Sequence, residues 1–309
     1  MEKKILLAVD DSRNSRQAVS YAGELAAGLK NISYTLFHIQ PAISQFLTDE
    51  AKSSFKAQTA LLKIKKKNAD ASLSMLEKCK EMMCEKGMDE KCIELKTVAR
   101  KIGLAKDIID YAQEKRFDAV LAGSRGLTRM QEIFMGSVTK KLAEHSRVIP
   151  LWIVDGNVVS SEKILVAVDG SESALRAVDH LSFIIGENPD IRITLFHVVP
   201  MFRQYCPIDF DESDDDLQYI ISQGDKKCIE KFFVHAFKRF SDAGISREHI
   251  RIKEEKRQNI GRAIVEEARK EGYGTVVIGR RGQDSAFFMG SVSAYVIDKI
   301  SDCAVWLVP

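Results

Sequence analysis

Glycine and serine pairs at fixed spacing mark the chemistry open to this chain. From Gly123 it reads Gly-Ser-Arg-Gly, then nine residues, then Gly136-Ser137 at the head of an amphipathic segment. Glycine has no Cβ, so its backbone N–H can come close to a ligand. A helix start adds N–H groups without intrahelical partners and the positive end of the helix dipole. Ser137 can cap that helix or bond a phosphate oxygen. Together these groups suit an anion, and a phosphate above all. Asp10 closes the first apolar run and could accept hydrogen bonds from a ribose or a base.

Catalytic patterns are missing by contrast. The chain has no Walker loop (G-x4-G-K-[ST]), no G-x-S-x-G elbow and no H-E-x-x-H. No nucleophile stands beside a base in either half, so binding rather than turnover is expected. The six cysteines form no C-x-x-C pair and no zinc-finger spacing, which reads as reduced, mostly buried thiols and no metal centre. His38 and His197 occupy matching strand ends, where a hydrogen-bonded structural histidine is the plain reading. The acidic run Asp209–Asp216 reads as a solvated loop, and Lys63, Lys65, Lys66 and Lys67 as the wet face of a long helix.

The elements that position these residues come in two copies. ILLAVDDS (Ile5–Ser12) returns as ILVAVDGS (Ile164–Ser171), and TLFHIQP (Thr35–Pro41) as TLFHVVP (Thr194–Pro200), both 159 residues later. Gly123 answers to Gly279 and Gly136 to Gly290 at offsets of 156 and 154, so the second copy carries small deletions. The turn-forming Asp155-Gly156-Asn157 marks the joint between a domain over 1–155 and a domain over 160–309.

Within the first copy, short apolar runs predict strands at Ile5–Val9, Tyr34–Ile39, Ile93–Val98, Ala119–Ala122 and Val148–Val154. Helices are expected over Ser12–Lys30, Glu50–Lys86, Ala105–Lys115 and Ser137–His145. The second copy has strands near Ile164, Ile193, Ile250, Thr275 and Ala304. Alternation of this kind predicts an α/β fold: two tandem doubly wound domains, each an open five-stranded parallel sheet with helices on both faces. Ligands of such sheets bind beyond the carboxyl ends of the strands, where strand order reverses.

Composition narrows the partners. Lys and Arg number 46 against 44 Asp and Glu, a net charge of +2 that gives no broad field for nucleic acid or a membrane, and neither is expected. The N-terminal apolar run is too short for a signal peptide and no stretch would span a bilayer, so the cytoplasm is expected.

The pattern G-x2-G-x9-G-[ST] after a strand, completed by an aspartate ending the first strand, resembles the universal stress protein family. The resemblance covers both halves and implies a tandem member of that family, with a sheet order of 3-2-1-4-5. In the branch of the family that keeps the glycines it also implies bound ATP, alone or with Mg2+, and a role in stress response or signalling. On that pattern Asp10 meets the adenosine end and the Ile39 backbone lies by adenine. Gly123, Arg125, Gly126, Gly136, Ser137 and Val138 surround ribose and phosphates.

The second half keeps Asp169, Val198, Gly279, Arg281, Gly282, Gly290 and Ser291 as a possible second site. Only seven residues separate Gly282 from Gly290, which must shorten the loop or unwind the helix start and so displace the cradle. Family members often pair through the last strand. The apolar runs Val148–Val154 and Ala304–Val308 are therefore expected to pair the two domains within the chain, and they leave room for a homodimer. A protein partner is implied without being named. A nucleotide-independent scaffold and a slow ATPase are the alternatives to a nucleotide-binding protein.

Overall fold

The structure, a computed structural model of the 309-residue chain, describes residues 2–124, 136–158, 162–186, 188, 190–200, 215–281 and 289–309, with no side-chain description for 200 and 215–225. The chain divides into two compact units, Met1–Ala27 with Asn31–Leu151, and Gly28–Lys30 with Trp152–Pro309.

The first half runs β1 (Lys3–Ala8), α1 (Arg13–Ala27), β2 (Ile32–Gln40), α2 (Gln45–Glu50), α3 (Phe55–Glu85), β3 (Ile93–Ala99), α4 (Leu104–Glu114), β4 (Ala119–Gly123), α5 (Ser137–His145) and β5 (Leu151–Asp155). The second half continues with β6 (Lys163–Val168), α6 (Glu172–Ile185), β7 (Arg192–Pro200), α7 (Asp215–Asp242), β8 (Ile250–Arg257), α8 (Ile260–Glu271), β9 (Thr275–Gly279), α9 (Ser291–Lys299) and β10 (Cys303–Val308).

Strand order is β3-β2-β1-β4-β5 in the first half and β8-β7-β6-β9-β10 in the second. Each is the doubly wound order 3-2-1-4-5, and the pairs within each unit are parallel. Ile5, Leu6 and Leu7 are fully buried because β1 lies between β2 and β4 under helices on both faces. Leu7 stands opposite Leu36 of β2 and Leu121 of β4; in the second unit Val166 stands opposite Leu195 of β7 and Val277 of β9. Helix α1 covers the core with Ala18, Val19, Ala22 and Leu25, and α4 with Ile108, Ile109 and Ala112. Within the second unit the Trp152 and Trp306 rings stack with centroids 3.9 Å apart, and Trp152 Nε1 donates to Nε2 of His180 at 3.0 Å.

Two elements depart from the sequence expectation. The helix expected over Glu50–Lys86 starts later, at Phe55, where the Ser54 hydroxyl accepts from the Ala57 N–H and caps it, and the separate short helix α2 precedes it. The strand expected from Val148 begins only at Leu151. Pro150 has no N–H to give a ladder, and Val148 is left 77% exposed.

Candidate functional site

Chain order reverses at β1, whose two sheet neighbours, β2 and β4, reach it by crossovers to opposite sides. The carboxyl ends of β1 and β4 therefore open a crevice. The β1 register sets Ala8 beside Phe37 and Ala122, so Asp10 just past β1, Ile39 in the last two residues of β2 and Gly123 at the end of β4 lie at one rim.

Asp10 lies two residues past the strand, half-buried. Its Oδ1 accepts the Ser12 N–H at 3.0 Å, and its own N–H donates to Ser15 Oγ at 3.0 Å. The Ser12 hydroxyl accepts the Ser15 N–H at 3.1 Å. This is a locally closed aspartate turn. It fixes one carboxylate oxygen and leaves Oδ2 without a hydrogen-bond partner among the described residues. Behind it, His38 Nδ1 lies 2.7 Å from the Val9 carbonyl. A carbonyl only accepts, so Nδ1 carries the proton and the imidazole braces the turn.

Gly123 is required by packing and not by a turn. A Cβ there would sit 2.7 Å from both the carbonyl carbon and oxygen of Asn14, backbone atoms at the start of α1. That close approach also lets Asn14 Nδ2 donate to Ser124 Oγ at 2.8 Å. The start of α5 is tied to the same strand end. The Gly136 N–H donates to the Ser124 carbonyl at 2.9 Å, and Thr139 Oγ1 donates to the Gly123 carbonyl at 2.9 Å.

The cap of α5 is Gly136, with Ser137 the first helical residue, so Ser137 does not cap the helix as one sequence reading allowed. A glycine cap supplies no side-chain acceptor, and the first-turn N–H groups face the rim with the positive end of the dipole. Ser137 is exposed and Val138 half-buried at that end, while Ile39 is buried on the β2 side. Of the residues read from sequence, the structure gathers Asp10, Ile39, Gly123, Gly136, Ser137 and Val138 around one rim. Arg125, Gly126 and Gly282 lie outside the described residues, as does the acidic run from Asp209 to Asp214.

The rim of the second unit repeats much of the frame, although Ala174 stands where Ser15 does, so the bond from the aspartate N–H to a serine hydroxyl is lost there. Asp169 Oδ1 accepts the Ser171 N–H at 3.0 Å, and His197 Nδ1 lies 2.9 Å from the Val168 carbonyl. The Gly290 N–H donates to the Arg280 carbonyl at 2.9 Å, and Ser293 Oγ to the Gly279 carbonyl at 2.8 Å. A Cβ on Gly279 would meet Ser173, the counterpart of Asn14. Val198 is buried on β7 as Ile39 is on β2.

The missing two residues do not unwind α9, which starts at Ser291 after Gly290 with nearly the backbone angles of Gly136 (φ −60°, ψ 149° against φ −58°, ψ 147°). The deletion falls between Gly282 and Gly290. A further difference at the rim is Arg280 in place of Ser124, only 2% exposed. Arg281, next in the chain, holds its N–H 3.4 Å from Ser173 Oγ, and Ser291 stands at the helix start.

Among the described residues no group of three or more His, Cys, Asp or Glu side chains could hold a metal ion. The described cysteines are free thiols, and burial pushes Cys79 up to about 11 and Cys303 up to about 12, far from a thiolate nucleophile at neutral pH. No described helix is long and apolar enough to cross a membrane.

The model of the universal stress protein family matches this sequence twice, over residues 1–155 and 160–309. The chain belongs to the universal stress protein family. Universal stress protein YxiE of Bacillus subtilis is 26% identical over 154 residues, covering 50% of this chain and 99% of that protein. Universal stress protein MJ0531 of Methanocaldococcus jannaschii is 26% identical over 152 residues, covering 49% of this chain and 81% of that protein. A solved universal stress protein from Archaeoglobus fulgidus shares the fold across the whole chain, with a TM-score of 0.64 and 19% identity over 99% of this chain and 97% of that one. This chain thus carries two universal stress protein domains in succession.

Sequence reasoning missed the residues that hold the rim together: Ser12, Asn14, Ser15, Ser124, Thr139 and, in the second domain, Ser173 and Ser293. The signal was present in part. Small polar residues recur at matching places in both copies, just after the first strand and two residues into the helix that follows the glycine segment.

Proposed function

We propose that the first domain binds an adenine nucleotide, ATP alone or with Mg2+, and that occupancy changes the protein's shape or its choice of partner in a stress response. One observation carries this reading. The Asp10 turn and the glycine-capped start of α5 meet at one rim, locked to the end of β4 by the Gly136–Ser124 bond. The donor and acceptor sets fit the two ends of a nucleotide. Asp10 Oδ2 accepts from a ribose or base, while the α5 N–H groups and Ser137 donate to phosphates. Arg125 and Gly126 complete the phosphate side in this reading. The reaction is binding, since cradling a ground state does not by itself lower a barrier.

The second domain offers the same frame with a buried Arg280 and a loop two residues shorter. We assign it at most weak affinity, giving one tight nucleotide per chain. Calorimetric titration of nucleotide-free protein tests both points: ATP binds ahead of AMP, with a stoichiometry of one. Gly136→Asp abolishes it, because the new carboxylate takes the helix N–H groups and repels phosphate. Aspartate is a favoured helix cap, so that variant keeps its fold. Undiminished binding in Gly136→Asp refutes the site, and two equivalent tight sites refute the asymmetry. A protein that binds no nucleotide in either form is the nucleotide-independent scaffold.

A further inference from the structure

The N-terminal half of α3 is built unlike the rest of the first unit. The helix has 31 residues, about 46 Å at 1.5 Å per residue, but its buried residues are Ser72, Leu76, Cys79 and Met83 toward the C-terminus and only Leu61 before them. The first half therefore stands clear of the core, with Phe55 84% and Leu62 61% exposed. Phe55, Leu62 and the exposed Leu73 are seven and eleven residues apart, two and three turns, and share one face. Lys66 lies on that face, Lys56, Lys63 and Lys67 flank it on one side, and Lys65 on the other.

Residues 51–69 hold six lysines and no Asp, Glu or Arg, a local charge of +6 inside a chain whose net charge is +2. Lys52 pairs with Asp49, whereas Lys56, Lys63, Lys65, Lys66 and Lys67 make no ion pair among the described residues. The whole-chain balance, which argues against a membrane field, does not describe this arm.

From this juxtaposition of an exposed apolar stripe with unpaired lysines on both flanks, we infer that the arm of α3 docks on an anionic lipid bilayer surface, lying in the interface. A second copy of this chain is opposed by the repulsion of like charges. A bilayer is favoured over an acidic protein because every cation is lysine. Lysine is a flexible point charge whose stem lies along apolar surface while its head reaches anionic headgroups, whereas arginine's fork is the group enriched at protein interfaces. An apolar stripe flanked by lysines on a single helix is the pattern of interfacial helices, with each lysine adding to attraction by anionic lipid.

Sedimentation of the full chain with phosphatidylcholine vesicles, with and without phosphatidylglycerol, tests this. Binding is expected only to the anionic vesicles, and it should fall as ionic strength rises from about 0.1 M to about 1 M and the Debye length shrinks from about 10 Å to about 3 Å. Replacing Lys63, Lys65, Lys66 and Lys67 by Gln should weaken binding at least about 100-fold. The pair Phe55→Ser and Leu62→Ser should weaken it about 10-fold through lost apolar burial. All six positions are exposed, so circular dichroism should match the parent. Equal binding to neutral vesicles, or binding untouched by the serine pair, overturns the inference. Retention on immobilised polyglutamate without vesicle binding also overturns it and assigns the arm to an acidic protein.

Discussion

Replacing Gly123 with alanine asks whether the first motif glycine is held by packing. The added Cβ would lie 2.7 Å from the Asn14 carbonyl carbon and oxygen and 3.0 Å from the Ser15 nitrogen. All three are backbone atoms in the first turn of α1, so no rotamer change relieves the clash, and the start of α1 must lift by several tenths of an ångström. Overpacking of this kind costs about 1–3 kcal/mol. For a domain of this size that lowers the melting temperature by about 2–10 °C.

Gly103→Ala is the matched control. Its φ of 178° is ordinary extended backbone and an added Cβ meets nothing within 4 Å, so a change within about 0.5 kcal/mol is expected. Urea unfolding followed by circular dichroism reads both variants. Gly123→Ala should also weaken the proposed nucleotide binding, since lifting α1 disturbs the Ser12–Ser15 turn that orients Asp10. If Gly123→Ala unfolds at the same urea concentration as Gly103→Ala, the packing argument is wrong.

The Tyr34 hydroxyl is buried without a hydrogen-bond partner among the described residues, and burial, followed by the charge of Tyr21, raises its pKa. Tyr34→Phe should therefore stabilise the first unit by about 1 kcal/mol in urea unfolding, and a loss of stability would reveal a partner for that hydroxyl. In the second unit, burial pushes His180 down to about 3 from 6.5, and Nε2 accepts from Trp152. The unfolded chain then binds the proton below pH 6.5 while the folded chain does not, so the stabilisation is complete above pH 6.5 and is lost progressively as the pH falls toward 3. Some contact of His180 with solvent tempers the effect to about 1–2 kcal/mol at pH 5, read as the difference in pH dependence between the parent and His180→Leu. Equal pH profiles for the two proteins would refute it.

The sequence determined what depends on neighbours in the chain. The 159-residue recurrence, the apolar runs and the amphipathic stripes specify two α/β copies, because a strand buried on both faces and a helix with one wet face each leave a local periodic trace. Asp10, Gly136 and Ser137 were legible for the same reason, as residues that end a strand or begin a helix. Tertiary structure decided the causes and the surroundings. The reason for Gly123 is the backbone of Asn14, far away in the chain, and the rim is locked by bonds such as Asn14–Ser124, 110 residues apart. The deletion before Gly290 left α9 in place because the Gly290–Arg280 bond pins both ends of the loop, whatever its length. Lys63 to Lys67 read as an ordinary wet face until the structure placed Phe55 and Leu62 in water beside them. Close approach and exposure arise between segments distant in sequence, and no local pattern carries them.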